Sequence, residues 1–267
     1  MEHRFETTHP LTADIRIPAG TIAVRVHDEA FTTARIEGAH AEDVVVGFDE
    51  HPGGDRLTVE YRGRKVFSWL GLGDQLGVTI QVPEATSLDV STGSADVEVS
   101  GTVARIDFKS GSGELRFNDV NGDVTAKTAS GDLSGDGVGG GLRFNGASGD
   151  LSIGSVSKTT AGRTASGDIS IGRIDADTQL SSASGDVTIG VVTGGRATVR
   201  TVSGDVAVGV IEGADVYLDL ASTSGDMVCD LEPATRPSGG SAELEVDLTS
   251  VSGDVRVRKV AGTIGRS

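Results

Sequence analysis

The four residues Ser184-Gly185-Asp186-Val187 are one copy of a motif that recurs through most of the chain. Each copy has a small polar residue, a glycine, an acid and an aliphatic residue, and we call it the Ser-Gly-Asp motif. Copies begin at Ser94 (a degenerate Ser-Ala-Asp-Val), Ser112, Ser130, Ser148, Ser166, Ser184, Ser203, Ser224 and Ser252. Their spacing is 18 residues from Ser94 to Ser184, and later intervals widen to 19, 21 and 28. A fixed period of this size indicates a stacked repeat array.

The residues around each motif alternate between apolar and polar types, as in a strand with one buried face. After the acid, the apolar pairs are Val97/Val99, Leu115/Phe117, Leu151/Ile153, Ile169/Ile171, Val187/Ile189, Val206/Val208, Met227/Cys229 and Val255/Val257. Four residues before each Ser, a second set reads Phe108, Ala126, Phe144, Gly162, Leu180, Val199, Leu220 and Leu248. We predict that these sets form two columns of core side chains, with Cys229 as a core residue.

Large and small residues alternate over the first four members of the second column. Neighbouring strands lie only about 4.8 Å apart, so two stacked Phe rings would crowd each other. The alternation therefore favours a coil in which residues 18 apart are vertical neighbours. We predict an all-β fold: a single-stranded parallel β-helix (β-solenoid) of about 18 residues per coil. An antiparallel array of hairpins remains the alternative.

Residues 1–93 lack the motif but alternate like strands, as in Thr21 to Val26 and Val78 to Val82. Pro18 and Pro83 follow such runs and indicate bends. The last coil of a solenoid exposes unpaired backbone groups, so terminal segments are expected to differ from the repeats. We predict an N-terminal β-strand cap layer over residues 1–93 and a β-solenoid repeat array over residues 94–267, as one continuous structural unit.

The motif itself is interpreted first as a corner of the coil. Glycine permits a positive φ, and Ser and Asp side chains can bond nearby backbone N–H groups. Stacked corners place the acids in a structural turn ladder: Asp96, Glu114, Asp132, Asp150, Asp168, Asp186, Asp205, Asp226 and Asp254. Unit charges roughly 5 Å apart in water repel by somewhat under about 1 kcal/mol, so the ladder needs basic partners or cations. Candidate partners are Lys109, Lys127, Arg163 and Arg200.

No constellation typical of an enzyme or a metal site occurs in the sequence. All five histidines (His3, His9, His27, His40 and His51) precede the repeats without a metal-ligand spacing, and we interpret them as isolated surface residues. There is no Gly-x-Ser-x-Gly elbow and no Walker loop. A calcium roll would need the acidic motif in both halves of the repeat, and only Asn121-Gly122-Asp123 supplies it.

We therefore predict a chain that is not an enzyme and has no cofactor or metal. Two alternatives stay open: a polysaccharide-binding or polysaccharide-cleaving β-helix protein, and a cation-binding repeat that uses the Asp ladder.

Bulk properties exclude several partners. A formal net charge of −16 argues against binding nucleic acid. No run of 18 apolar residues predicts a transmembrane helix, and the charged start Met1 to Glu6 is unlike a secretory signal. We expect a cytoplasmic protein, with cell-envelope association as the alternative. The single Cys229 excludes an internal disulfide.

One stretch, from Arg62 to Gly73, combines basic and aromatic residues in a chain that is otherwise acidic and only 4% aromatic. Trp, Phe and Arg dominate the energetics of interfaces. The candidate binding residues are Arg62, Arg64, Lys65, Phe67, Trp69 and Leu70. The stretch is interpreted either as a hairpin loop folded over the core, as an exposed contact loop or as a membrane-touching tip. The expected partner is an unidentified protein, and a glycan is the alternative.

Two proline-bearing strands precede the repeats: Ile-Pro-Ala-Gly-x-Ile-x-Val from Ile17 to Val24, and Val-Pro-Glu-Ala-x-x-Leu-x-Val from Val82 to Val90. Together with the Ser-Gly-Asp motifs they resemble the bacterial putative-adhesin family of β-strand-repeat proteins, a toastrack-like domain of unknown function. The resemblance covers nearly the whole chain. It implies a β-solenoid-like fold without established catalytic residues, and hence a non-enzymatic structural or protein-interaction module.

Overall fold

The structure is a computed structural model that describes residues 1–38, 40–63, 76–231 and 244–261. Apart from a 3-10 helix at Ala41–Asp43, the regular elements of these residues are β-strands. The chain divides into two compact units, Met1–Gly135 and Asp136–Ser267. The prediction of an all-β fold, a parallel β-solenoid, is confirmed.

Unit 1 contains two sheets built mainly from parallel strands. Its strands are β1 (Glu2–Glu6), β2 (Leu11–Ile17), β3 (Thr21–His27), β4 (Phe31–Glu37), β5 (Val44–Asp49), β6 (Asp55–Tyr61), β7 (Gly77–Pro83), β8 (Ser87–Thr92), β9 (Asp96–Val103), β10 (Arg105–Ser110), β11 (Leu115–Val120) and β12 (Val124–Thr128). One sheet has the order β1-β4-β7-β3-β9-β11 and the other β5-β6-β2-β8-β10-β12. The next strand, β13 (Leu133–Val138), contains the division between the units.

Parallel pairing extends from the repeats into the N-terminal residues. Strand β9 pairs with β3, and β10 pairs with β8, which in turn pairs with β2, all in parallel. Strand direction changes towards the N-terminal edges of both sheets: β4 is antiparallel to β7 and to the outermost strand β1, and the outermost strand β5 is antiparallel to β6. This end of unit 1 therefore differs from the parallel repeats, as is typical of the terminal segments of a solenoid.

Unit 2 has two sheets in which every adjacent pair of strands is parallel. Its strands are β14 (Leu142–Asn145), β15 (Leu151–Val156), β16 (Thr160–Thr164), β17 (Ile169–Ile174), β18 (Thr178–Ser182), β19 (Val187–Val192), β20 (Gly195–Thr201), β21 (Val206–Ile211), β22 (Val216–Ser224), β23 (Met227–Cys229), β24 (Leu244–Ser252) and β25 (Val255–Val260). The orders are β15-β17-β19-β21-β25-β23 and β14-β16-β18-β20-β24-β22.

The strand register decides between the two architectures that the sequence left open. Ile169 lies beside Val187, and Phe108 lies beside Ala126, so residues 18 apart are neighbours on parallel strands. A hairpin array would pair successive strands antiparallel instead. Each 18-residue repeat is therefore one turn of a coil.

Both predicted core columns are buried over most of their length. Val187, Ile189 and Val199 are 0% exposed. Burying an aliphatic side chain of this size contributes roughly 1.5–3 kcal/mol, so the columns supply much of the stability of each unit. The Phe144–Gly162 register also holds, but a Cβ on Gly162 would lie 2.9 Å from Leu180 Cδ2. The space beside Gly162 is therefore taken by Leu180 of the following coil.

The order of the coils departs from the order of the sequence at the C-terminal end. Val206 pairs with Val255, and Val255 pairs on its other side with Met227. Strands β24 and β25 thus lie between the coil of β20 and β21 and the coil of β22 and β23. The last coil of unit 2 is the one that contains Met227 and Cys229.

This arrangement corrects the prediction for Cys229, which was expected in the core. Cys229 is exposed, and Met227 in the same strand is 53% exposed. The physical reason is that β23 pairs only with β25, so no described strand covers its other side.

Candidate functional site

The acids of the Ser-Gly-Asp motifs stack at one corner of the coil and are joined through the backbone. In one step of unit 1 and in three consecutive steps of unit 2, a backbone N–H donates to the carboxylate of the acid in the neighbouring coil. The distances are 3.1 Å from Glu114 N to Asp96 Oδ1, 2.8 Å from Asp168 N to Asp150 Oδ1, 2.9 Å from Asp186 N to Asp168 Oδ1 and 2.8 Å from Asp205 N to Asp186 Oδ1. Hydrogen bonds to an ionised acceptor are stronger than neutral ones, so these bonds fix the corners against each other.

The same bonds continue through the last two coils of unit 2, where the coil of β24 and β25 comes before the coil of β22 and β23. The N–H of Asp254 donates to Asp205 Oδ1 at 2.8 Å, and the N–H of Asp226 donates to Asp254 Oδ1 at 3.0 Å. The spatial order at this end is Asp205, Asp254 and Asp226. The same carboxylate-to-backbone bond therefore forms between coils whether or not they are consecutive in the sequence.

The basic partners of the ladder are not all the expected ones. Lys109 binds Asp107 at 3.0 Å, and Arg200 lies 3.9 Å from Asp247. Within the ladder, Glu114 pairs with Arg116 at 2.6 Å. Residues two apart on a strand share a face, which explains why Lys109 meets the acid of its own strand rather than the ladder.

A column of inward hydroxyls, which the sequence analysis missed, closes the corners. Ser110 Oγ and Thr128 Oγ1 each accept a hydrogen bond at 2.7 Å, from Gly113 N and Gly131 N respectively. The serine of the motif, such as Ser112, is exposed instead. Equivalent hydroxyl positions are Thr92, Ser110, Thr128, Thr164, Ser182, Thr201, Ser222 and Ser250, two residues before each motif. Aligning the repeats reveals this signal, which only Gly146 interrupts.

The glycine of the motif is needed for a reason other than the expected one. None of the motif glycines has a positive φ, so the predicted left-handed corner is wrong. A Cβ on Gly131 would instead collide with the carbonyl oxygen of Gly113, and a Cβ on Gly185 with that of Gly167. Glycine is required because successive coils bring the backbones too close for a side chain.

Of the candidate binding residues, the structure describes Arg62. Its Nε donates to Glu60 Oε2 at 2.9 Å, and its backbone N–H donates to the carbonyl of Asp43 at 2.8 Å. The other candidates, Arg64, Lys65, Phe67, Trp69 and Leu70, lie outside the described residues. The start of the basic and aromatic stretch is thus attached to the end of β6 and to the 3-10 helix.

His40, Glu42 and Asp43 form a cluster at this helix, beside Arg62. Their ligand atoms lie within 4.8 Å of one another, and His40 Nδ1 is 3.4 Å from Asp43 Oδ2. The hydroxyl of Tyr61 donates to Asp43 at 3.3 Å. Burial raises the pKa of Tyr61, and the negative charges of Asp43 and Glu42 raise it further. Imidazole and carboxylate groups at this spacing are the residues that could hold a metal ion.

A buried carboxylate ties the N-terminal strands together. The Asp55 side chain accepts hydrogen bonds from Thr8 N at 3.1 Å and from His9 N at 3.2 Å, and His9 Nδ1 lies 3.2 Å from it. Burial alone would raise the pKa of Asp55, but the bonds from His9 and Thr8 and the attraction of His9 hold it below its ordinary value. His9 and His40 are exposed, as expected of surface residues, but they are not isolated, because both lie beside carboxylates.

No helix in the described ranges is long and apolar enough to cross a membrane.

Several solved structures are similar to this chain over nearly its whole length. A putative lipid binding protein from Parabacteroides distasonis ATCC 8503 has a TM-score of 0.49 and 11% identity, covering 97% of this chain and 96% of that chain. A putative adhesin from Bacteroides fragilis NCTC 9343 has a TM-score of 0.47 and 15% identity, with the same coverage of 97% and 96%. No functionally curated protein matches the chain.

A family model described as Toastrack DUF4097 matches residues 13–258. The match runs from β2 into β25 and contains every Ser-Gly-Asp motif from Ser94 to Ser252. It includes both proline-bearing strands, so the resemblance to a toastrack-like domain is confirmed. The chain belongs to the Toastrack DUF4097 family.

Proposed function

We propose that this chain is a non-enzymatic structural and protein-interaction module of the putative-adhesin β-repeat type. The observation that carries the proposal is the use of the recurring acids. Asp150, Asp168 and Asp186 each accept a backbone N–H from the next coil, so their carboxylates hold the scaffold together. A row of acids committed to the backbone supports a structural role rather than a catalytic one.

The interaction surface of the proposed module is the stretch that follows β6. Arg62, at its start, is bonded to Glu60 and to the backbone of Asp43. Strand β6 lies next to β5, the outermost strand of its sheet, so the chain leaves the sheet close to an edge. The residues that follow include Phe67 and Trp69, the types that most often anchor an interface.

The proposed partner is a protein whose contact surface is acidic and apolar. Arg62, Arg64 and Lys65 supply positive charge, while Phe67, Trp69 and Leu70 supply apolar area. The rest of the chain has a strong negative charge, which would repel an acidic partner from surfaces other than this stretch. Electrostatic complementarity of this kind mainly sets specificity and the rate of association.

The test is capture of protein partners from a bacterial lysate by the full chain and by a Phe67→Ala, Trp69→Ala double variant. A matched control is Val202→Ala, which removes an apolar side chain that is 54% exposed and lies outside this stretch. We expect one specific partner to be retained by the wild type and the control and lost from the double variant, with an unchanged melting temperature. A melting temperature that falls by several degrees in the double variant would place the stretch in the core and contradict the proposal.

The polysaccharide alternative is tested with the same three proteins on an array of acidic and neutral glycans. Binding of a glycan that the double variant retains, without any captured protein, would replace the proposed function by glycan recognition.

A further inference from the structure

The coil formed by β22 and β23 has an open side. Strand β22 pairs with β24, and β23 pairs with β25; within the described ranges neither strand has a neighbour on its other edge. Among the described residues, the outward backbone N–H and C=O groups of both strands therefore have no strand partner.

The inward side chains of this coil are also uncovered. Val255 and Val257 are buried in the adjacent coil, whereas Met227 is 53% exposed and Cys229 is exposed at the same register. On the second sheet, Leu248 is 0% exposed, and its register neighbour Leu220 is only half-buried. The apolar column that fills the core thus continues up to the open surface.

The edge carries few of the devices that natural proteins use to prevent strand pairing. Charged side chains, especially lysine, and prolines usually blunt an exposed edge. The nine residues of β22 contain one charge, Asp219, and no lysine or proline. Strand β23 has no charge at all. The nine-residue edge of β22 therefore favours pairing with another strand, and the three residues of β23 extend the same open side.

We propose that a second copy of this chain covers the open side of the β22–β23 coil, giving a two-fold symmetric dimer. An occupant must pair with two strand edges that belong to two different sheets, and must also cover the apolar side chains between them. A single extended peptide can pair with only one of the two edges. The same coil of a second copy presents two edges at the same separation with the same apolar layer, so the surface is self-complementary.

The dimer predicts the effect of placing a charged residue in the edge strand β23. Strand addition forms backbone hydrogen bonds along an edge, and the apolar side chains of both coils become buried. A lysine placed on the inward register of β23 would be buried in the dimer but would reach water in the monomer. Met227→Lys is therefore expected to weaken association while leaving the monomer folded.

The association is measured by light scattering after size-exclusion chromatography of the full chain over a range of concentrations. We expect the wild type to have the mass of two chains, with a dissociation constant that Met227→Lys raises roughly a hundredfold, about tenfold for each of the two buried lysines. The matched control is Val202→Lys, which places the same charge at a residue that is 54% exposed and outside this coil. We expect the control to remain a dimer. A wild type with the mass of one chain at every concentration overturns the proposal, and so does a Met227→Lys dimer of unchanged affinity.

Hydrogen exchange locates the contact. Within residues 216–224 and 227–229, the alternate amides that point away from β24 and β25 are expected to exchange more slowly in the wild type than in Met227→Lys, because they donate to the second copy. A dimer in which these amides exchange at the same rate as in the variant overturns the proposal, because the copies would then meet elsewhere.

Discussion

The backbone N–H of Asp254 donates to Oδ1 of Asp205 at 2.8 Å, although 49 residues separate them in the chain. Asp226, which is closer in the sequence to Asp205, donates instead to Asp254. The C-terminal coil therefore lies in a slot between two coils that precede it. Because β22 and β23 reach the rest of unit 2 only through β24 and β25, their stability depends on this last segment.

Removing residues 244–267 tests this dependence. The shortened chain loses the strand partners of both β22 and β23, so we expect residues 216–229 to lose their amide protection. The coil of β18 and β19 keeps its neighbours and is expected to stay protected. Hydrogen exchange followed by mass spectrometry measures both regions in one experiment. Persistent protection of residues 216–229 would contradict the insertion.

The glycine column predicts a large effect from a single methyl group. In Gly185→Ala the new Cβ would collide with the carbonyl of Gly167, and the backbones must separate. We expect a loss of about 1–3 kcal/mol in the free energy of unfolding, measured in urea. Gly47→Ala is the control, because a Cβ there has nothing within 4 Å and φ is not positive. Equal effects of the two substitutions would refute the close approach.

The carboxylate ladder predicts different effects for two substitutions at one position. Asp168→Ala removes the acceptor of the Asp186 N–H. Because this bond is exposed and water can replace the acceptor, we expect a loss of about 0.5–1.5 kcal/mol of unfolding free energy. Asp168→Asn keeps an oxygen acceptor and removes a negative charge from the column, so we expect a smaller loss. Urea unfolding with and without calcium measures both effects. A calcium-dependent gain in the wild type that Asp168→Ala abolishes would instead favour the cation-binding alternative.

The Asp55 site predicts a pH dependence of stability. The pKa of Asp55 is lowered in the folded state below its ordinary value of 3.8. Its contribution to stability is therefore complete above the unfolded pKa, and it is lost as the pH falls through the lower folded pKa. We expect Asp55→Asn to flatten the fall in unfolding free energy below about pH 4. Asp49→Asn, at an exposed residue of β5, should leave this fall intact. An identical acid profile for wild type and Asp55→Asn would exclude the role.

The repeat spacing favoured the coil, because the alternation of large and small residues in the second column fits neighbours 18 residues apart. It left the antiparallel array open, and only the parallel strand register excludes that array. The spacing could not predict the exchange of the last two coils. Both orders place the same apolar types in the core, since Val255 and Met227 are equivalent members of the repeat. The residue pattern within one repeat does not show which of the two equivalent coils lies next to the coil of β20 and β21.

The roles of the site residues could also be predicted from the sequence only in part. The acids were found as a column, but their acceptor role depends on the distance between neighbouring backbones, which residue types do not encode. The motif glycine was expected to have a positive φ, which is a common reason for glycine at a turn. Gly131 does not have one; glycine is needed there because a Cβ would collide with the carbonyl oxygen of Gly113. The contacts of His9 and His40 with acids depend on tertiary packing and on an irregular turn, neither of which has a periodic signal.

The order of the coils is tested most directly by disulfide trapping in a Cys229→Ser background. Ala207 and Arg256 are register neighbours, and so are Arg256 and Val228, whereas Ala207 and Val228 lie on strands separated by β25. Cysteines on adjacent strands fall within the range of Cα separations that a disulfide allows, roughly 4.4–6.8 Å, and those two strands apart do not. We expect the pair Ala207→Cys and Arg256→Cys to form a disulfide under mild oxidation, and Ala207→Cys with Val228→Cys to form none. A disulfide between positions 207 and 228 would mean that the coils follow the sequence order, and would contradict the insertion of β24 and β25 between them.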